Sequence, residues 1–156
     1  MRSRTDERLI PGGQQLCVRA TAALPQSGDG ALFRISGGPI RVKGIYGEVT
    51  TVIQNQANAT KLKHNPSGTG SDVDLCATLD IANDAVGQVY SIVGVLATAL
   101  KSTTLWLVAP ADDIPGPGLV LFPGDIELDC AASNTGSVKW YLVYERLSPE
   151  AVVVAV

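Results

Sequence analysis

The chain has 156 residues, of which 46% are apolar, 17% charged and 5% aromatic, with a formal charge of −3. That length suits one domain able to bury about two-thirds of its unfolded surface. The apolar share excludes a largely disordered chain, which needs low hydrophobicity and high net charge. The longest apolar runs, such as Val152 to Val156, fall far short of the ~20 residues of a membrane-spanning helix.

The start, M-R-S-R-T-D-E-R-L-I, holds no apolar stretch of the kind a secretory signal needs. On that reading Cys17, Cys76 and Cys130, widely spaced and odd in number, are buried thiols of a reducing compartment and not a disulfide frame.

In chain order, residues 1–14 are polar, carry Arg2, Arg4 and Arg8, and show no periodicity, so they are expected to form an extended N-terminal arm. Residues 15–156 are expected to form a single β domain. Strands are predicted over residues 15–20, 31–36 and 39–53. In the last of these the apolar phase switches from even positions (Ile40, Val42) to odd ones (Ile45, Val49, Ile53) around Gly44 and Gly47. That switch predicts a bulge or bend, and a passage from one sheet to the other at that point.

T-K-L-K-H, residues 60–64, turns Lys61 and Lys63 away from Leu62. D-V-D-L-C-A-T-L-D, residues 72–80, alternates as one half-buried strand with its aspartates in solvent. Residues 89–100 mix strand and helix spacing, and Gly94 with the β-branched residues favours a strand followed by at most one helical turn. Further strands are expected over residues 103–108, 119–122, 125–130, 138–145 and 151–156. Loops are expected at 24–30, 65–71 and 111–118, where sixteen glycines and nine prolines punctuate the chain. Strands and turn clusters about every ten residues predict an all-β, single-domain antiparallel sandwich or barrel, jelly-roll-like.

Acidic balance, with a pI near 5.0, argues against nucleic acid as a partner. Charge is uneven along the chain: residues 1–64 hold nine Lys/Arg against four Asp/Glu, and residues 65–156 hold three against eleven. Such a division favours head-to-tail contacts wherever the two halves form different faces.

Catalytic chemistry is scarce. His64 is the one histidine, no G-x-S-x-G elbow or cysteine-protease signature accompanies it, and its place between a short strand and N-P-S-G suits an exposed or locally bonded side chain. Zinc spacing is absent, the EF-hand pattern is absent around Asp72, Asp74, Asp80 and Asp84, and Asp112–Asp113 is the one loop left for a calcium. Asp125, Glu127 and Asp129 share a strand face at ~7 Å spacing, wider than the ~5 Å of a retaining glycosidase. No catalytic residue, metal ligand or cofactor is assigned.

Cys130 and Trp140, ten residues apart, are similar to the cysteine and tryptophan strands of immunoglobulin domains, but no second cysteine follows. That local likeness reads as two adjacent strands. A broader likeness runs over residues 30–147, through G-G-P-I-R-V-K-G-I-Y-G-E-V-T-T, K-L-K-H-N-P-S-G-T-G-S-D-V-D-L-C-A-T-L-D-I and P-G-D-I-E-L-D-C-A-A-S-N-T-G-S-V-K-W-Y-L-V-Y. In strand and turn texture this resembles small β-rich structural proteins of tailed bacteriophages. The resemblance implies a non-enzymatic virion component on the capsid surface, assembled in the host cytoplasm. Its implied role is a decoration or cement protein, homo-oligomeric and commonly trimeric, with the major capsid protein as partner. A tail, neck or fibre component is the alternative within that class. A carbohydrate-binding module using Trp106, Trp140 or Tyr141 is the alternative outside it.

The ends are the expected interface. Val152, Val153 and Val154 are apolar on both strand faces. Burying three valines is worth at most about 5–8 kcal/mol, and ordering five residues costs about 5–10 kcal/mol. The tail therefore needs backbone hydrogen bonds to a sheet edge, its own or a neighbour's. Arg2, Arg4 and Arg8 with Val152, Val153 and Val154 are the residues expected to hold a neighbouring subunit.

Overall fold

The computed structural model describes residues 13–103, 107, 108, 114 and 118–156. Two antiparallel sheets carry the chain. The first is built on β1 (Gln14–Ala23), β3 (Ile40–Thr51), β7 (Val89–Ser91), β8 (Lys101–Thr103), β9 (Leu119–Leu121) and β11 (Ser137–Arg146). Its order is β1-β11-β3-β7-β8, with β9 also on β3. The second holds β2 (Gln26–Ser36), β4 (Ala59–Pro66), β5 (Val73–Asp74), β6 (Leu79–Asp80), β10 (Gly124–Ser133) and β12 (Val152–Ala155). Its order is β12-β2-β10-β4-β5, with β6 also on β4. The pairs β1–β11, β2–β10 and β3–β9 nest inside one another and alternate between sheets, which is the wound-ribbon order of a jelly roll. The all-β sandwich expected from periodicity is therefore what forms.

Alternation builds the core. Ile126, Leu128 and Cys130 of β10 and Val138, Trp140, Leu142 and Tyr144 of β11 point between the sheets and are buried. Leu62 of β4 and Val42, Ile45 and Val49 of β3 meet them. The phase switch in β3 is a bulge: Val143 faces Gly44 while Tyr144 faces Val42, so Lys43 is the extra residue. β3 nonetheless stays in one sheet from end to end, because the bulge restores inward facing within the same ladder.

Several expected boundaries move. Gln14, assigned to the arm, opens β1 opposite Glu145. Residues 26–30, expected as loop, are strand, since β10 pairs with them through Asp129↔Asp29 and Cys130↔Gly28. The single strand over 72–80 is two short ones, β5 on Lys63 and His64 and β6 on Ala59 and Thr60. Its break is at Leu75 and Cys76, neighbours that are both buried. The Leu75 N–H donates to the Leu62 carbonyl at 2.9 Å, and Cys76 Sγ accepts from the Leu62 N–H at 3.3 Å. After β7 the chain makes one turn, with the Thr98 N–H donating to Val95 at 2.9 Å. Cys130 and Trp140 lie on consecutive strands in facing sheets, not side by side in one sheet.

Candidate functional site

The outward face of the β2–β10–β4–β5 sheet is a lattice of charge set by register. One row runs Asp29–Asp129–Lys61, the next Glu127–Lys63–Asp74, and a third Arg34–Asp125–Asn65. At its centre Lys63 Nζ lies 2.5 Å from Asp29, 2.6 Å from Asp72 and 3.8 Å from Glu127. Burial would lower the lysine's pKa, but the hydrogen bonds it donates to Asp29 and Asp72 override it and the net direction is upward.

Asp29, Asp72 and Glu127 bring carboxylate oxygens within 4.8 Å of one another, spacing that a metal ion would accept. The lysine ammonium already supplies the positive charge there. Glu127 also accepts from Asn65 Nδ2 at 3.2 Å. Asp129 faces Asp29 directly, and burial together with that like charge raises its pKa. Arg34 forks onto Asp125 with bonds of 2.8 and 2.9 Å.

His64 sits one residue beyond this lysine but on the inward face, buried, and neither ring nitrogen has a hydrogen-bond partner among the described residues. This corrects the expectation of an exposed or locally bonded ring. Burial lowers its pKa below the ordinary 6.5, and the backbones of Asp125 and Phe122 oppose that only in part. The unfolded chain then binds the extra proton, so the contribution is fully present above pH 6.5 and is lost as pH falls through 6.5 towards the folded value. The unfolding free energy should decline over that window, and His64→Leu should remove this part of the slope. Parallel urea melts from pH 7.5 to 5 measure it.

The expected interface residues separate. Arg2, Arg4 and Arg8 lie outside the described residues, as do Trp106, Asp112 and Asp113. β12 pairs antiparallel with β2 of its own sheet, Val153 facing Ile35 and Val154 facing Arg34. Val153 is buried in the core and is withdrawn from the interface, while Val152 and Val154 stay 47% and 49% exposed. Trp140 is 1% exposed and therefore offers no platform to a sugar. Tyr141 on the outer face donates to Glu48 at 3.1 Å and lies under Lys139.

Where the two sheets meet at their edges, β1 and β12 run side by side. Arg19 Nε donates to the Val156 oxygen across this seam at 2.7 Å. Leu16, Val18, Val152, Val154 and Val156 flank it, all more than 40% exposed. Sequence reading found the valines of β12 but missed Leu16 and Val18, whose alternation with Cys17 and Arg19 was the available signal.

A cavity of about 410 Å³ opens between β1 and β2 just beyond the seam, rimmed by Arg19 and Asp29 and floored by Leu128, Val138 and Trp140. A second hollow of about 460 Å³ at the other end of β2 is walled by the Arg34–Asp125 pair, whose charges satisfy each other. No protein-family model, no curated protein and no solved structure matches this chain. The fold and surface define a jelly-roll-ordered β-sandwich with a charged sheet face and an apolar seam.

Proposed function

We propose that the protein is a non-enzymatic structural component of a bacteriophage virion, a decoration protein that attaches to the outer capsid shell as a homo-oligomer. The observation that carries this reading is the apolar seam. Alternate outward residues of two adjacent edge strands, Leu16 and Val18 with Val152 and Val154, make an uncharged stripe of the kind that marks a protein contact. Edge strands without a lysine or proline on the outward face are open to association, and symmetry multiplies each weak contact. The bacteriophage assignment rests on the resemblance over residues 30–147.

Quantitative mass spectrometry of gradient-purified particles from the source tests it. A copy number comparable to the major shell subunit supports decoration. A few copies per particle would transfer the protein to the tail, neck or fibre, and absence would overturn the virion reading.

Seam and fold are separable by mutation. Val152→Ser with Val154→Ser should leave unfolding free energy within about 1 kcal/mol, since both side chains are half-exposed, while weakening self-association. Val153→Ser should cost about 1–3 kcal/mol by placing a hydroxyl in the core. Denaturant melts beside sedimentation velocity read both.

A further inference from the structure

The two outer faces of the sandwich differ in kind. The β2–β10–β4–β5 face is the charged lattice described above. On the opposite face β11 turns out Lys139, Tyr141, Val143 and Glu145, because Trp140, Leu142 and Tyr144 between them are buried in the core. Register extends two of these positions into adjacent rows, Val18–Tyr141–Tyr46 and Leu16–Val143–Gly44. The Tyr46 ring folds down over Gly44, where a Cβ would lie 2.8 Å from a ring carbon and from the hydroxyl oxygen. The middle of this face is thus flat, aromatic and aliphatic, and Lys43 at the bulge is engaged within its own chain. At β7 the face is closed, for Val89 and Ser91 stand outward beside Glu48 and Tyr46 yet are 7% and 3% exposed. The open part spans β3, β11 and β1 and runs to the seam.

Charge frames this middle. Past the Val18 row stand Lys139 and Glu48, opposite each other on β11 and β3, and past the Leu16 row stand Glu145 and Arg41. Each end is neutral within one copy. Arg41 pairs with Glu145 at 3.2 Å. Lys139 Nζ lies 5.3 Å from the centre of the Tyr141 ring, whose hydroxyl donates to Glu48 at 3.1 Å. An uncharged centre with tyrosines and a polar rim is the anatomy of a protein contact.

We propose that this face packs on the same face of a second copy, about a two-fold axis that crosses the strands between the two rows. The inference rests on the self-association in the functional reading above and names its surface. Strands of packed sheets stay roughly aligned, which leaves axes along the strands or across them. An axis along β11 would set Lys139 on the partner's Lys139 and Glu145 on the partner's Glu145, and like charges opposed across a contact reject a pairing. An axis along the strands between β11 and β3 would lay Leu16 and Val18 over the closed region at β7. The axis across the strands sets Lys139 against the partner's Glu145 and Glu48 against the partner's Arg41. It also sets Leu16 on the partner's Val18 and Tyr141 on the partner's Val143. Apolar then meets apolar and each charge meets its opposite, a self-complementary contact. β1 lies over the partner's β1, so the seams of the two copies come together at the margin.

Charge reversal in the full-length protein tests the axis. Lys139→Glu sets a glutamate against the partner's Glu145 twice in each dimer, and Glu145→Lys sets a lysine against the partner's Lys139. Each variant alone should self-associate at least about tenfold more weakly than the parent in sedimentation equilibrium. Mixed in equal amounts under different tags, the two should pair with near-parental affinity, since both cross-contacts again join opposite signs. Recovery in the mixture also shows that both variants fold. Single variants that associate like the parent, or a mixture that does not recover, overturn the inference.

The apolar middle is read separately. Val18→Asp should weaken association by about a hundredfold, while Thr69→Asp, in the exposed loop between β4 and β5 of the other sheet, should leave it unchanged. Equal effects of the two, or a parent that stays monomeric at every concentration, overturn the face. All of this uses purified protein without particles, so absence from virions would remove the decoration role and leave the two-fold contact standing.

Discussion

Trp140→Ala is expected to lower the unfolding free energy by about 3–5 kcal/mol, the range for truncating a buried aromatic. Among the described residues the indole is the largest fully buried side chain. It sits in an inward row set by register, Arg19–Trp140–Gly47–Tyr90 across four strands. The Tyr90 ring stacks with it at 6.3 Å between centroids, and the Tyr90 hydroxyl donates to Asp84 at 2.6 Å.

Gly47 is where the ring lies flat on the backbone: a Cβ there would come within 2.7 Å of two ring carbons. Gly47→Ala alone should therefore cost about 1–3 kcal/mol by overpacking. In the double variant the methyl meets empty space, so the two losses should sum to more than the measured total by at least about 1 kcal/mol. Urea melts of the four proteins complete the cycle. Strict additivity would mean that the ring does not lie on Gly47.

The same pair shows what the sequence allowed and what it withheld. Val138, Trp140, Leu142 and Tyr144 alternate along β11, a signal for an inward Trp140 that the strand prediction did not use, and the glycines of β3 marked a disturbance of register. Which glycine faced the indole depended on how β3 and β11 pair, which no local pattern states. Offering Trp140 to a sugar failed because it shares the buried face of β11 with Val138, Leu142 and Tyr144. The strand over Gln26–Gly30 was hidden by two glycines and an aspartate, residues that favour turns when read locally but are held extended here by pairing with β10. The break at Leu75–Cys76 was hidden because Val73, Leu75, Ala77 and Leu79 do alternate, and only the fold shows that Leu75 and its neighbour Cys76 are both buried.

For the charged face, the sequence showed lysines and acids alternating outward on separate segments and gave each a solvated role. That Lys63 stands among three carboxylates from β2, β10 and the segment before β5 is a product of tertiary register. The apolar seam was half visible, through the valines of β12, while β1 was read only as a short strand with no edge assigned to it. No pattern within one strand says which strand ends up at the edge.

Lys63→Met is the second large expectation, a loss of about 2–3 kcal/mol at neutral pH. Removing one partner of a fully buried pair costs about 3–5 kcal/mol. The figure is reduced here because Asp29 and Asp72 are 42% and 39% exposed and water screens them. The loss comes less from the missing attraction than from the repulsion left behind: Asp29, Asp72 and Glu127, within 4.8 Å of one another, would face each other with no cation between them, and Asp129 adds a fourth charge beside Asp29.

The variant should therefore recover stability in two ways that the parent does not share. Lowering the pH should narrow the gap between variant and parent as Asp129, whose pKa burial and the neighbouring Asp29 already raise, takes up its proton. Millimolar Ca²⁺ should raise the variant's Tm and leave the parent's unchanged, because three carboxylate oxygens at that spacing suit a hard cation once the ammonium has gone. Thermal melts with and without Ca²⁺, with Mg²⁺ as the control for ionic strength, read both effects. If Ca²⁺ raised the two melting temperatures equally, the cation position would lie elsewhere and Lys63 would be one surface charge among several.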